Sequence, residues 1–307
     1  MRKKPRRLKK GDTVGIISPS GPFREGQLEK ALPFLDSLGL NYKLGKHASN
    51  RLGYLAGSDD ERLADLHEMF ADPEIDGIIC SRGGYGAARF TDQIDFELIK
   101  NNPKVFWGYS DITFLHTSFR QLANLVTFHG PMLTSDIVAE DFAELSGKMF
   151  EQLFEPTALL YDESISPLEI LSPGRAKGEL VGGNLSLLTN SIGTKFEIET
   201  NGKILFIEDI GEEPYRVDCM LNQLRQANKL ENLAGVVIGD FADAASKGDK
   251  PSLTLEEVLD DYFKNRPYPV VKGFKIGHCQ PHFAIPLGVE VELDAIEKVL
   301  HVAPGVE

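Results

Sequence analysis

The stretch Lys104-Val-Phe-Trp107-Gly-Tyr-Ser-Asp111 changes character partway along. An apolar run of strand length gives way to a turn opened by Gly108, and Phe114 and Phe119 beyond it predict a helix. The same alternation recurs upstream. Asp12-Thr-Val-Gly-Ile-Ile-Ser18 is closed by Pro19-Ser-Gly-Pro22, and Leu28, Ala31, Leu32, Leu35 and Leu38 then follow at helical spacing before a stop at Gly39. Ser58-Asp-Asp-Glu61 is a capping box that opens a helix through Leu63, Leu66 and Phe70. Gly77-Ile-Ile-Cys80 is a buried-type strand ending at Ser81-Arg-Gly-Gly84. Continuous apolar strands separated by helices imply a parallel sheet covered on both faces. In such sheets the chemistry belongs at the carboxyl ends of the strands.

The pattern changes after the proline-bearing stretch that holds Pro156, Pro167 and Pro173. The expected organisation is an α/β domain over residues 8–155, a linker over 156–173 and a smaller α+β domain over 174–307. The second domain takes strands at Gly178–Gly183, Lys203–Glu208 and Gly235–Gly239, and helices near Leu221–Asn228 and Leu255–Phe263. Across 307 residues the composition is that of a globular chain, 42% hydrophobic and 26% charged, with no run long enough for a membrane span. The net charge of -13 argues against a nucleic-acid partner. Seven basic residues nevertheless fall within the first ten, from Arg2 to Lys10, and read as a solvated, poorly ordered arm. No apolar segment of a secretory signal follows it, and the odd count of three cysteines shows no motif spacing, so a cytoplasmic location is expected.

Gly108-Tyr-Ser-Asp111 has the form of a nucleophile turn, with the hydroxyl exposed at a strand end and backbone N–H groups at the helix start. The hydrolase elbow carries a second Gly two residues after the serine, and Ile112 stands there instead. Read locally, Ser110 or Asp111 is equally a helix N-cap. Among the seven histidines, His129 and His278 sit beside glycines in turn-like sequence, whereas His116 falls on the helix after Ser110. His278 and His282 have the spacing of a helical metal pair, but Gly277 and Pro281 oppose a helix, and no HExxH is present. Neither a metal nor a cofactor is called for. Glu208-Asp209 ends an apolar strand, and strand alternation lets only one carboxylate face a given histidine. Gly84-Tyr-Gly86 fails the dinucleotide pattern because Arg89 occupies its third glycine, so the loop reads better as a source of oxyanion donors.

These pieces in order resemble the LD-carboxypeptidase (muramoyltetrapeptide carboxypeptidase) family of serine peptidases, which includes the microcin C self-immunity peptidases. The matching stretches are Leu8–Pro22, Ser81–Gly86, Gly108–Asp111, Gly182-Gly-Asn-Leu185, Phe206–Asp209 with Pro214-Tyr-Arg216, and Gly277-His278 before Pro286-Leu-Gly288. The resemblance implies a Ser110–Glu208–His278 triad with an oxyanion hole from the backbone of Gly84 and Asp111. It implies a flavodoxin-like N-terminal domain, a swivelling β-rich C-terminal domain with the site between them, and a homodimer. The implied reaction cleaves the L-centre to D-alanine bond of murein tetrapeptide, a small peptide substrate, during cell-wall recycling. Arg82 and Asn184 are candidates for holding the substrate's terminal carboxylate, and Arg82 could equally support its loop. The chain departs from the family pattern at Cys279-Gln-Pro-His282, where a Gly and an Asn are expected nearby. The alternatives are a self-immunity peptidase acting on aminoacyl-adenylate conjugates, which Trp107 in a buried strand disfavours, and a non-catalytic two-lobe binding protein.

Overall fold

The apolar runs become strands whose carboxyl ends all open into the loops singled out above. The computed structural model describes residues 2–248 and 251–307 and divides into two units. The first comprises residues 1–157, 280–288 and 304–307. Its parallel strands are β1 (Thr13–Ile17), β2 (Asn41–Leu44), β3 (Gly77–Cys80), β4 (Val105–Gly108) and β5 (Thr127–His129), ordered β2-β1-β3-β4-β5. This is the flavodoxin-like order. The helices are α1 (Gln27–Ser37), α2 (Asp59–Ala71), α3 (Ala87–Phe90), α4 (Phe96–Asn101), α5 (Thr113–Leu122) and α6 (Glu144–Lys148). At α2 the capping box is complete, with Ser58 and Glu61 each accepting from the other's backbone N–H, a device worth about 1 kcal/mol.

The second unit comprises residues 158–279 and 289–303. Its strands are β6 (Leu159–Tyr161), β7 (Glu169–Ser172), β8 (Arg175–Asn184), β9 (Ile204–Ile210), β10 (Gly235–Ala242), β11 (Val270–Lys272), β13 (Glu290–Asp294) and β14 (Val299–Val302). The eight-stranded sheet runs β6-β14-β13-β8-β9-β10-β11-β7, parallel from β8 to β11 and antiparallel at both flanks. Helices α7 (Leu185–Asn190), α8 (Pro214–Gln226) and α9 (Leu255–Phe263) contribute Leu185, Leu188, Val217, Leu221, Val258 and Phe263 to one core with Val181, Leu205, Ile207 and Val236. Among the described residues no helix is long and apolar enough to cross a membrane.

Three expectations are corrected. The basic arm is ordered on the first unit: Lys3 exchanges backbone hydrogen bonds with Asn124 and Val126, and Arg6 pairs with Asp12 and Asp76. Its charges have partners, which a count of basic residues cannot reveal. The stretch 156–173 carries β6 and β7. Residues 280–288 return to the first unit, where β12 (Ile285–Leu287) pairs antiparallel with β5.

Three histidines of the first unit are buried, His116, His129 and His282. His116 donates from Nε2 to the Gly108 carbonyl at 2.8 Å. Burial pulls its pKa down to about 4, with that hydrogen bond opposing. An unfolded histidine titrates near 6.5, so stability is full above that pH and falls as pH drops toward 4, by on the order of 3 kcal/mol. Denaturant midpoints measured across this window should fall less steeply for His116→Gln, which can still donate to Gly108 but cannot titrate.

Candidate active site

Ser110 lies where β4 turns into α5, at φ 63°. Among the described residues the other non-glycine positions with positive φ are four asparagines, Asp243 and Lys298. A serine in the left-handed region costs about 1–3 kcal/mol and is kept where neighbours over-determine it. Those neighbours are visible. A Cβ on Gly108 would meet Cys80 Cβ at 3.0 Å, and one on Gly83 would meet Ser110 Cβ at 2.9 Å. The turn therefore needs glycine two residues before the serine and another in the loop that follows β3. Tyr109 anchors it from below: its hydroxyl donates to Asp136 at 2.7 Å, and its ring meets those of His129 and His282 edge-on. His129 is thus a strand residue packed on Tyr109, not the turn residue its neighbouring glycine suggested. Trp107 is fully buried, with Nε1 donating to the Pro131 carbonyl.

The Gly83–Gly86 loop lies against this turn. Gly84 has φ 120°, and a Cβ there would meet the Gly21 backbone at 3.2 Å. Gly21 in turn donates to the Gly83 carbonyl at 3.1 Å. Arg82 reaches back to donate to the Pro22 carbonyl at 3.0 Å, and its buried Nε has no hydrogen-bond partner among the described residues. Asp111 is no N-cap of its own turn; its carboxylate is directed to Ser20 and Ala87. The first unit thus gathers Ser110, Asp111, Gly84 and Arg82.

The second unit gathers Glu208, His278 and Asn184. Glu208 is fully buried on β9, and its Oε2 accepts from His278 Nδ1–H at 2.7 Å. With the proton on Nδ1, Nε2 keeps its lone pair, the form a general base requires. Two glycines make room. A Cβ on Gly277, at φ 121°, would come to 2.5 Å from Glu208 Oε2, and one on Gly239 would meet Glu208 Cβ at 3.2 Å. Gly239 sits where the β10 register shifts between Ile238 and Phe241, a bulge of the kind found beside active sites. The next residue, Asp240, donates to the Ile276 carbonyl and docks the segment that leads to His278.

Asp209 points to the other face, as strand alternation requires. It accepts from Asn184 Nδ2, from the backbone and hydroxyl of Ser186, and from its own neighbour Ile210. Burial pushes its carboxyl up, and the adjacent Glu208 adds to that, against these hydrogen bonds. Asn184 caps α7 through Leu187 N–H while donating to Asp209, so both ends of its amide hold structure. The sequence assigns no role to Ser20, Asp136 or Gly239, although Ser20 lies in the Leu8–Pro22 stretch and Gly239 ends the expected strand Gly235–Gly239.

Residues 14–130 match the family model of the LD-carboxypeptidase N-terminal domain, and residues 177–293 match that of the C-terminal domain. The chain belongs to the LD-carboxypeptidase family. It is a serine-type carboxypeptidase and hence a hydrolase, which sets aside a non-catalytic binding role. The Bacillus subtilis (strain 168) protein named "Probable murein peptide carboxypeptidase" is 53% identical over 303 residues, covering 99% of this chain and 95% of that one. The solved muramoyltetrapeptide carboxypeptidase from Oxalobacter formigenes superposes with a TM-score of 0.83 at 28% identity, over 95% of this chain and 98% of that one. The microcin C7 self-immunity protein MccF, solved with aspartyl sulfamoyl adenosine, gives 0.88 at 26% identity over 98% of each chain.

Because the two carboxylates of β9 do different work, their amide variants should fail differently. Glu208→Gln should depress kcat severely with little change in Tm, since the histidine loses its charged partner. Asp209→Asn should lower Tm by several degrees while the kcat of the folded fraction stays within a few-fold. Thermal melts and kinetics on both variants check this, and the opposite assignment of effects would reverse their roles.

Proposed function

We propose that this LD-carboxypeptidase removes the terminal D-alanine of murein tetrapeptide, at the bond from the preceding L-centre, through Ser110, His278 and Glu208. The observation that carries the reading is the buried Glu208–His278 hydrogen bond, together with a strained serine at the end of a parallel strand. In this mechanism Ser110 Oγ attacks the scissile carbonyl carbon while His278 Nε2 takes its proton. Glu208 holds the imidazolium. The oxyanion is met by the N–H groups of Gly84 and Asp111. Collapse breaks the C–N bond as His278 passes the proton to the departing amine of D-alanine. Water then attacks the acyl ester, giving one proton to His278, which returns it to Ser110. The 53% identity to the Bacillus subtilis protein supports a murein peptide substrate. All three cysteines are free, consistent with the cytoplasm. A homodimer belongs to the same reading.

A second reading, cleavage of aminoacyl-adenylate conjugates, is favoured by one observation. Tyr54 and Tyr85 are exposed, with ring centroids 5.9 Å apart, beside the Gly84 loop, and offer faces on which a nucleobase can stack. Incubation with murein tetrapeptide and with an aminoacyl sulfamoyl adenosine, following free D-alanine and free amino acid respectively, decides between the two. We expect D-alanine release by the wild type and a loss of about four to six orders of magnitude in kcat for Ser110→Ala. Near-normal turnover by that variant would remove the serine mechanism.

For the substrate's terminal carboxylate we propose Arg82 over Asn184, whose amide is engaged at both ends. Losing a charge-assisted contact of about 1.5–3 kcal/mol lowers kcat/KM roughly 10- to 150-fold. Arg82→Ala should show that loss, chiefly in KM, on tetrapeptide but little further loss on its C-terminal amide. Equal losses on both substrates would assign Arg82 to supporting the loop through Pro22.

A further inference from the structure

The Asp111 carboxylate has no part in the triad, yet it is 1% exposed and heavily hydrogen-bonded. Its Oδ2 accepts from the Ser20 hydroxyl at 2.6 Å and from the Ala87 backbone N–H at 2.9 Å. Ser20 belongs to the loop after β1, Ala87 opens α3 after β3, and Asp111 itself belongs to the turn after β4. One oxygen therefore ties together three loops at the carboxyl end of the sheet. Burial pushes this carboxyl up, while Ser20, Ala87, Arg62 and Gly86 pull the other way.

Arg62 of α2 forms a second tie between two of the same loops. Its Nη1 donates to the carbonyls of Pro19 at 2.6 Å and Gly86 at 2.8 Å, and its guanidinium lies 5.0 Å from the Phe90 ring centroid and pairs with Asp59. Between these ties the Gly83–Gly84 backbone is confined, with Ser110 on one side and Gly21 on the other. Capping the four-residue α3 needs an acceptor for its first N–H alone. A buried oxygen that takes the Ser20 hydroxyl as well as the Ala87 N–H does more than cap.

We propose that the Asp111 carboxylate, through Ser20 and Ala87, is a positioning device that holds the Gly83–Gly84 backbone where the Gly84 N–H meets the oxyanion formed at Ser110. The proposal rests on Ser110 as the nucleophile, not on the identity of the peptide. Asp111 acts here through its side chain on the loop, separately from its own backbone N–H. A displaced oxyanion donor costs about 10²–10³ in kcat. A uniform loss of binding would instead appear in KM.

The test compares Asp111→Ala, Asp111→Asn and Ser20→Ala by kinetics on tetrapeptide, by Tm, and by the rate at which a fluorophosphonate labels Ser110. That probe forms a P–O bond to the serine oxygen and expels fluoride, so it needs the oxyanion donors but no peptide. Asp111→Ala should lose about 10²–10³-fold in both kcat and labelling rate, with KM within about twofold. Asp111→Asn, whose Oδ1 can accept from the same two donors, should restore most of both rates. Should Asp111→Ala fail to fold, Ser20→Ala decides: a labelling rate at least tenfold slower at nearly unchanged Tm upholds the device, and an unchanged rate overturns it. Asp111→Asn as impaired as Asp111→Ala also overturns it. A wild type that labels at Ser110 but releases no D-alanine removes only the substrate reading. A wild type that does not label at Ser110 removes the nucleophile, and the positioning role with it.

Discussion

A serine held in the left-handed region is the constraint around which the first unit is built. The strain of about 1–3 kcal/mol at Ser110 is held by the neighbours packed around the turn from β4 into α5. Gly108 must lack a side chain to pass Cys80, and Gly83 must lack one to pass Ser110. Tyr109, tied to Asp136 and wedged against His129 and His282, keeps the turn from unwinding. The parallel sheet supplies the rest. Its order brings the loops after β1, β3 and β4 side by side, so three separate stretches of sequence share one small volume.

The second unit solves a different problem with the same residue type. Burying a carboxylate completely is expensive unless it is hydrogen-bonded, and Glu208 is fully buried with His278 on one oxygen. The room it occupies exists because Gly277 and Gly239 have no Cβ. One strand thereby carries two buried acids with opposite tasks. Glu208 accepts from the Nδ1–H of His278, while Asp209 secures the start of α7 through Ser186 and Asn184.

Much of this was legible in the sequence where the signal is local. The strands β1, β3 and β4 announce themselves as apolar runs ending in turn residues, and α2 by its capping box. Alternation alone predicted that Glu208 and Asp209 would part company, though only resemblance to a family said which faces the histidine. What stayed hidden depends on distant partners. β2 is exposed at every residue and exists by pairing with β1, and the three-residue β12 exists by pairing with β5. The basic arm looked loose because the acids that meet Arg6 include Asp76, far along the chain. Asp111 read as a cap for its own helix, and nothing local reveals that its carboxylate serves Ser20 and Ala87.

The return of residues 280–288 and 304–307 to the first unit bears on how the protein is made. Strand β12 completes one edge of the sheet whose β4 leads into Ser110, and Glu307 exchanges backbone hydrogen bonds with Pro5 and Arg7. During synthesis at about 5–20 residues per second, the first 157 residues wait on the order of ten seconds for these pieces. For that interval the outer edge of β5 lacks its partner strand, open to pairing with another chain. A shortened version ending at residue 157 would carry that open edge permanently. In the cell, this unit's edge strand comes late, from chain made after nearly the whole of the other unit.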